Sequence, residues 1–138
     1  MKTKILFLIA FISLIGFSKA QLIISSDTYT QGVYNTAKEE WDFIVLQKKV
    51  TNVFGIMEDM SAFIHANEDG TTVVYTITNY EYDDESVKYS IVMQDDSKKE
   101  YVLIIDGSNL DIGISYYDAN GRQMMDYYNI VDVSGLDE

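Results

Sequence analysis

His65 is the only histidine of the 138-residue chain, and there is no cysteine. No multi-histidine metal site and no thiolate chemistry can be built from these residues. A lone histidine on a strand is expected to be half-exposed and idle. Carboxylates are far more plentiful, in the clusters Glu58-Asp59, Asp83-Asp84-Glu85 and Asp95-Asp96. Glycoside hydrolysis uses two carboxyls that converge across a cleft, one of them desolvated to raise its pKa. Consecutive acids in a water-facing turn do neither, so no catalytic residue is assigned and an enzyme is not expected.

Oxygen-rich turns raise the question of calcium. An EF-hand loop needs oxygen ligands at its first, third and fifth positions, glycine at the sixth and glutamate at the twelfth. With Gly121 in the sixth place, Tyr116 falls first and Tyr127 twelfth; with Gly70 there, His65 falls first and Thr76 twelfth. Both alignments fail. No spacing selects an irregular site among Asp83, Asp84, Asp106 and Asp118, so neither metal nor cofactor is expected. Phosphate-binding glycine loops and nucleophile elbows are also missing from the sequence.

The enrichment that bears on binding is tyrosine, with eleven residues. A tyrosine has an apolar body and a polar tip, which suits both pockets and recognition surfaces. Two sets follow from strand parity. Tyr75, Ile91, Leu103, Ile114 and Tyr128 fall on inward faces and would line a cavity if the interior held a small apolar ligand. Tyr80, Tyr82, Tyr117 and Tyr127 fall in an acidic loop or on outer faces, where they would meet a partner.

The elements that position these residues are strands. From Thr71 to Val131, apolar residues recur every second position, as a half-buried strand requires. Val73, Tyr75 and Ile77 oppose Thr72, Val74, Thr76 and Thr78. Val87, Tyr89, Ile91 and Met93 oppose Lys88, Ser90 and Val92. Tyr101, Leu103 and Ile105 form the next inward set, followed by Leu110, Ile112, Ile114 and Tyr116. In Arg122–Val131, Met124, Tyr128 and Ile130 share a face with Asp126. Acidic turns containing Gly, Ser or Asn separate the runs, with a longer acidic loop at Tyr80–Ser86.

The earlier part of the chain is less regular. Leu22–Ser26 reads as a strand and Asp27–Glu40 mainly as a connection. Thr36-Ala37-Lys38-Glu39 fits a capping box that would start a helix into Trp41–Leu46. The nearly unbroken aromatic and aliphatic run there suits a strand buried on both faces better. Lys48-Lys49 would then be a turn, with strands following at Asn52–Met57 and Ser61–Ala66 and a tight turn at Asn67–Gly70. The tail from Asp132 is expected to fray.

Short connections make sequence neighbours antiparallel neighbours in space. The expected fold is all-β, an antiparallel up-and-down meander of eight or nine strands, curled into a small barrel or a strongly curved open sheet. Such a barrel invites comparison with the lipocalin-like barrels. Their Gly-x-Trp signature is missing, because Glu39 and Glu40 precede Trp41, so no residue roles are carried over.

Residues 1–20 read as a removable export signal: Lys2 and Lys4, then the apolar run Ile5–Phe17, then Ser18-Lys19-Ala20 before Gln21. The apolar run is shorter than the roughly 20 residues that span a bilayer. The mature chain, 21–138, is then a single domain, periplasmic or secreted. Export removes three of ten basic residues and none of the 22 acidic ones, leaving seven against 22, a net charge of −15. So acidic a chain repels phosphate backbones and anionic lipid surfaces, so nucleic-acid and membrane partners are not expected. It also favours a soluble monomer. The sequence points to a non-catalytic binding or surface-interaction module, with a barrel carrier of a small apolar ligand as the alternative; it names no partner.

Overall fold

The computed structural model describes residues 20–135, so all but the last residue of the expected export signal and the final three residues lie outside it. Nine strands and no helix are described: β1 Ala20–Asn35, β2 Glu40–Met57, β3 Ala62–Asn67, β4 Thr72–Asp83, β5 Lys88–Gln94, β6 Glu100–Asp106, β7 Asp111–Tyr117, β8 Gln123–Asn129 and β9 Asp132–Gly135. Each of the first seven pairs antiparallel with the next, and β1 pairs with β8 from Tyr29↔Tyr128 to Val33↔Met124, which closes a barrel. β9 lies outside this ring and pairs with β1 from Leu22↔Gly135 to Ser25↔Asp132.

The inward faces follow the period-two pattern. Phe54, Phe63, Ile91, Met93, Leu103 and Ile112 are completely buried, and with Tyr75 and Tyr128 they belong to one packed cluster. Phe54 stacks on Phe63 at 5.6 Å between ring centres and meets Tyr128 edge-on at 5.0 Å. A smaller cluster of Val53, Ile64 and Ala66 forms on the opposite face of β2 and β3.

Several boundaries differ from the sequence expectation. Asp27–Asn35 is strand rather than connection, leaving only residues 36–39 as the turn into β2. Trp41–Leu46 is indeed strand, but it runs on through Lys48-Lys49 without a turn. Pairing explains both errors. At Ser26/Thr28, Tyr29/Gln31 and Gln31/Gly32, β2 advances one residue more than β1, and such bulges destroy a strict alternation. Tyr80–Asp83 belongs to β4 rather than to a loop, and Asp132–Gly135 forms β9 instead of fraying. Val87 and Leu110 share parity with their inward neighbours, yet both occupy turns, with φ of 55° each.

Between its β9-pairing and β8-pairing stretches, β1 passes through Ser26–Thr28, and Asn129 satisfies it there. Asn129 Oδ1 accepts from the Asp27 N–H at 3.1 Å, the Thr28 N–H at 2.9 Å and the Ser26 hydroxyl at 2.9 Å. Its Nδ2 donates to Asp27 Oδ1 at 2.6 Å. Asn129→Ala orphans two backbone donors and is expected to lower unfolding stability by about 2–3 kcal/mol, measured by urea denaturation; a change under about 0.5 kcal/mol would refute this role. Val87 is a β-branched residue in the left-handed region, which disfavours it by roughly 1–2 kcal/mol. Because its side chain is substantially exposed, Val87→Asn is expected to stabilise the chain by about 1 kcal/mol in the same assay, and a loss of stability would count against strain at this turn.

Candidate functional site

Asp126 is the one carboxylate that period-two parity places on the inward face of β8, and the structure surrounds it with tyrosines from neighbouring strands. Tyr29 OH and Gln31 Nε2 each donate to Asp126 Oδ1 at 2.9 Å, and Tyr116 OH approaches the same oxygen at 3.4 Å. Gln31 Nε2 also donates to Tyr116 OH at 3.0 Å. The wall continues through Tyr101, 5.5 Å from Tyr116 and 5.0 Å from Tyr75 between ring centres, and Tyr101 OH donates to Asp95 Oδ2 at 3.1 Å. Lys99 Nζ lies over both Tyr116 and Tyr101, 4.9 and 5.3 Å from their ring centres, a cation–π arrangement.

Burial raises the Asp126 pKa, against the lowering effect of the donors from Gln31, Tyr29 and Tyr116. Burial and the Asp126 charge push Tyr116 up to about 12, and Tyr29 and Tyr128 rise well above the ordinary phenol for the same two leading reasons. Tyr101 rises through burial and its bond to Asp95. These shifts lead away from phenolate chemistry, which needs a depressed pKa. The assembly is a set of neutral hydroxyl donors holding one carboxylate.

His65 is not half-exposed as expected but 8% exposed on the inner face of β3. Its Nε2 lies 2.8 Å from Asn52 Oδ1, and its ring contacts Phe54 and Tyr128. Burial lowers its pKa to about 4, so at neutral pH it is an uncharged core donor.

The turn carboxylates are occupied by their own loops. Asp106 accepts from the backbone of Ser108 and Asn109, and Asp118 from Asn120 and Arg122. Asp83 accepts from the Glu85 backbone and the Ser86 side chain. These bonds hold all three below the usual carboxylate range, with Asn109, Arg122 and Ser86 respectively the leading partners. Among the described residues, no three His, Asp or Glu side chains converge to hold a metal ion.

Of the residues singled out from the sequence, Tyr75, Ile91, Leu103, Ile114 and Tyr128 come together as members of the single interior cluster. The outer tyrosines do not form one patch. Tyr80 and Tyr82 lie on β4, Tyr117 and Tyr127 on β7 and β8, and β5 and β6 separate the two pairs. Tyr82 lies against Tyr89 with the rings tilted, 4.5 Å between centres, while Tyr127 is half-buried beside Gly113. Parity alone puts Asp126 on the inward face, but nothing in the pattern points to Tyr29 and Gln31, which lie in the stretch read as a connection.

A second feature was hidden by the expectation of a doubly buried strand. Residues 40–49 of β2 pair only with β1 among the described residues, because β3 reaches no further than Asn52–Ile56. Phe43, Ile44 and Leu46 are 56%, 52% and 77% exposed on this edge. The arm is well ordered by its own contacts: Tyr34 meets Trp41 edge-on at 5.3 Å, and Asn35 caps the tip through the Ala37 and Lys38 N–H groups and donates to Asp42. No protein-family model matches the chain, and no curated protein or solved structure matches it either.

The His65 shift fixes a pH dependence. Between pH 6.5 and about 4 the unfolded histidine takes up a proton that the folded one refuses, so stability falls as pH falls through this window. The expected loss is about 3 kcal/mol. His65→Gln keeps a donor for Asn52 but cannot titrate, and urea unfolding across this range should show a correspondingly shallower slope. An unchanged slope would show that His65 does not carry it.

Proposed function

We propose that the chain is an exported, non-catalytic β-barrel module that acts by binding, and that the binding element is the free edge of β2. The observation that supports this is the exposure of Phe43, Ile44 and Leu46 on the 40–49 stretch of β2, whose outer row of backbone donors and acceptors pairs with no strand among the described residues. Exposed apolar edge strands are templates for strand addition, in which main-chain bonds give affinity and alternate side chains give specificity. The tyrosine–Asp126 assembly supports the interior end of the same β1 strand through Tyr29 and Gln31. On this reading it is a rigid base for the arm.

A photo-crosslinking residue placed at Leu46, in the full chain made by its own cells, is expected to give discrete adducts. The same probe at Leu110, which is 54% exposed in a turn, serves as the control. Equal labelling from both positions, or none from Leu46, would overturn the assignment of the β2 edge.

A further inference from the structure

Resting on that reading, we infer that the partner of the β2 edge is the same edge of a second copy of this chain. The order of charges along the edge is self-complementary. Glu40 and Asp42 precede the uncharged stretch Phe43–Gln47, and Lys48 and Lys49 follow it. An antiparallel pairing centred on Val45 sets Ile44 opposite Leu46 of the second copy, Asp42 opposite Lys48 and Trp41 opposite Lys49. The two-fold symmetry repeats each contact, so Asp42 of each copy meets Lys48 of the other, one opposite-charge pair at each end.

The lysines are informative because basic residues are scarce. Lys48 and Lys49 are exposed and, like Lys38, Lys98 and Lys99, make no ion pair among the described residues, while Lys88 and Arg122 are paired with Asp106 and Asp118. Two adjacent unpaired lysines beside an apolar edge, in a chain of strongly negative charge, provide local attraction where the global field repels. The bulges of β2 at Ile44 and near Gln47 lie against β1 and keep the paired stretch short, so association is expected to be reversible and concentration-dependent.

The test is sedimentation velocity on the full chain, expressed in an exporting host and purified, over a concentration series at low and high salt. The unaltered chain is expected to pass from monomer to dimer, with salt shifting it back towards monomer. Two variants, Glu40→Lys with Asp42→Lys and Lys48→Glu with Lys49→Glu, each place like charges across the pair and should weaken dimerisation about tenfold or more. Mixed in equal amounts, they should restore a dimer containing one of each. A monomer at every concentration, a dimer indifferent to salt, or variants that fail to complement each other would overturn the inference. If the unaltered chain stays monomeric while the Leu46 probe still captures another protein, self-pairing fails and the binding reading stands; if neither occurs, both fail.

Discussion

The whole barrel depends on β1 satisfying its backbone along its full length. A strand buried within a closed sheet must find partners for every N–H and C=O, since an orphaned group is destabilising by an amount comparable to a lost hydrogen bond. β1 is paired with β2 throughout, with β8 on its other side over Tyr29–Val33 and with β9 over Leu22–Ser25. Those two pairings leave a gap at Ser26–Thr28, and a single asparagine side chain from the end of β8 fills it. The chain then turns directly into β9, held by the Val131 N–H to the Ser25 carbonyl. Closure and the ninth strand are thus two outcomes of one requirement.

The same accounting explains why the arm exists. β2 has 18 residues and β3 only six, so β3 cannot cover more than part of its neighbour. The excess of β2 is matched on its other side by the long β1, and a free row results. The interior shows the complementary behaviour. Its polar groups are matched locally: Asp126 by Tyr29, Gln31 and Tyr116, His65 by Asn52. A network satisfied in this way fixes rotamers and strand register rather than leaving groups poised to react.

The sequence was most legible where one face is apolar and the other polar. β5 to β8 follow from period two, because each has a buried face and a short turn at each end; β4 follows it only as far as Thr78, after which a register shift at Ile77/Asn79 carries the strand on to Asp83. It was least legible in β1 and β2. There the inward face includes Ser26, Tyr29 and Gln31, which look like loop residues, and bulges shift parity within Trp41–Lys49. Val87 and Leu110 show the opposite failure, correct parity continued one residue into a left-handed turn. Asp126 lay on the right face in sequence, but its meaning depended on donors a hundred or so residues away in chain order, which no local pattern carries. The acidic clusters were placed in turns, although Asp83 ends β4; the bonds that Asp59, Asp83 and Asp95 accept from backbone N–H groups are legible only once the turns have closed.

Net charge and the apolar edge act at different distances. At physiological salt the field of an acidic surface fades over about 8 Å, so repulsion between copies acts only when their surfaces are close, and a strand-to-strand contact must overcome it locally. An exposed edge on an otherwise neutral barrel would be an invitation to open-ended assembly. On this one, Lys48 and Lys49 lie at one end of the edge and Glu40 and Asp42 at the other, an order that an inverted copy of the same segment can meet. An isologous pairing of that segment consumes both free rows and ends the assembly at two. The strong acidity of the chain and its exposed arm are therefore compatible features: the first suppresses the contacts that would propagate, and the second retains the one that closes on itself.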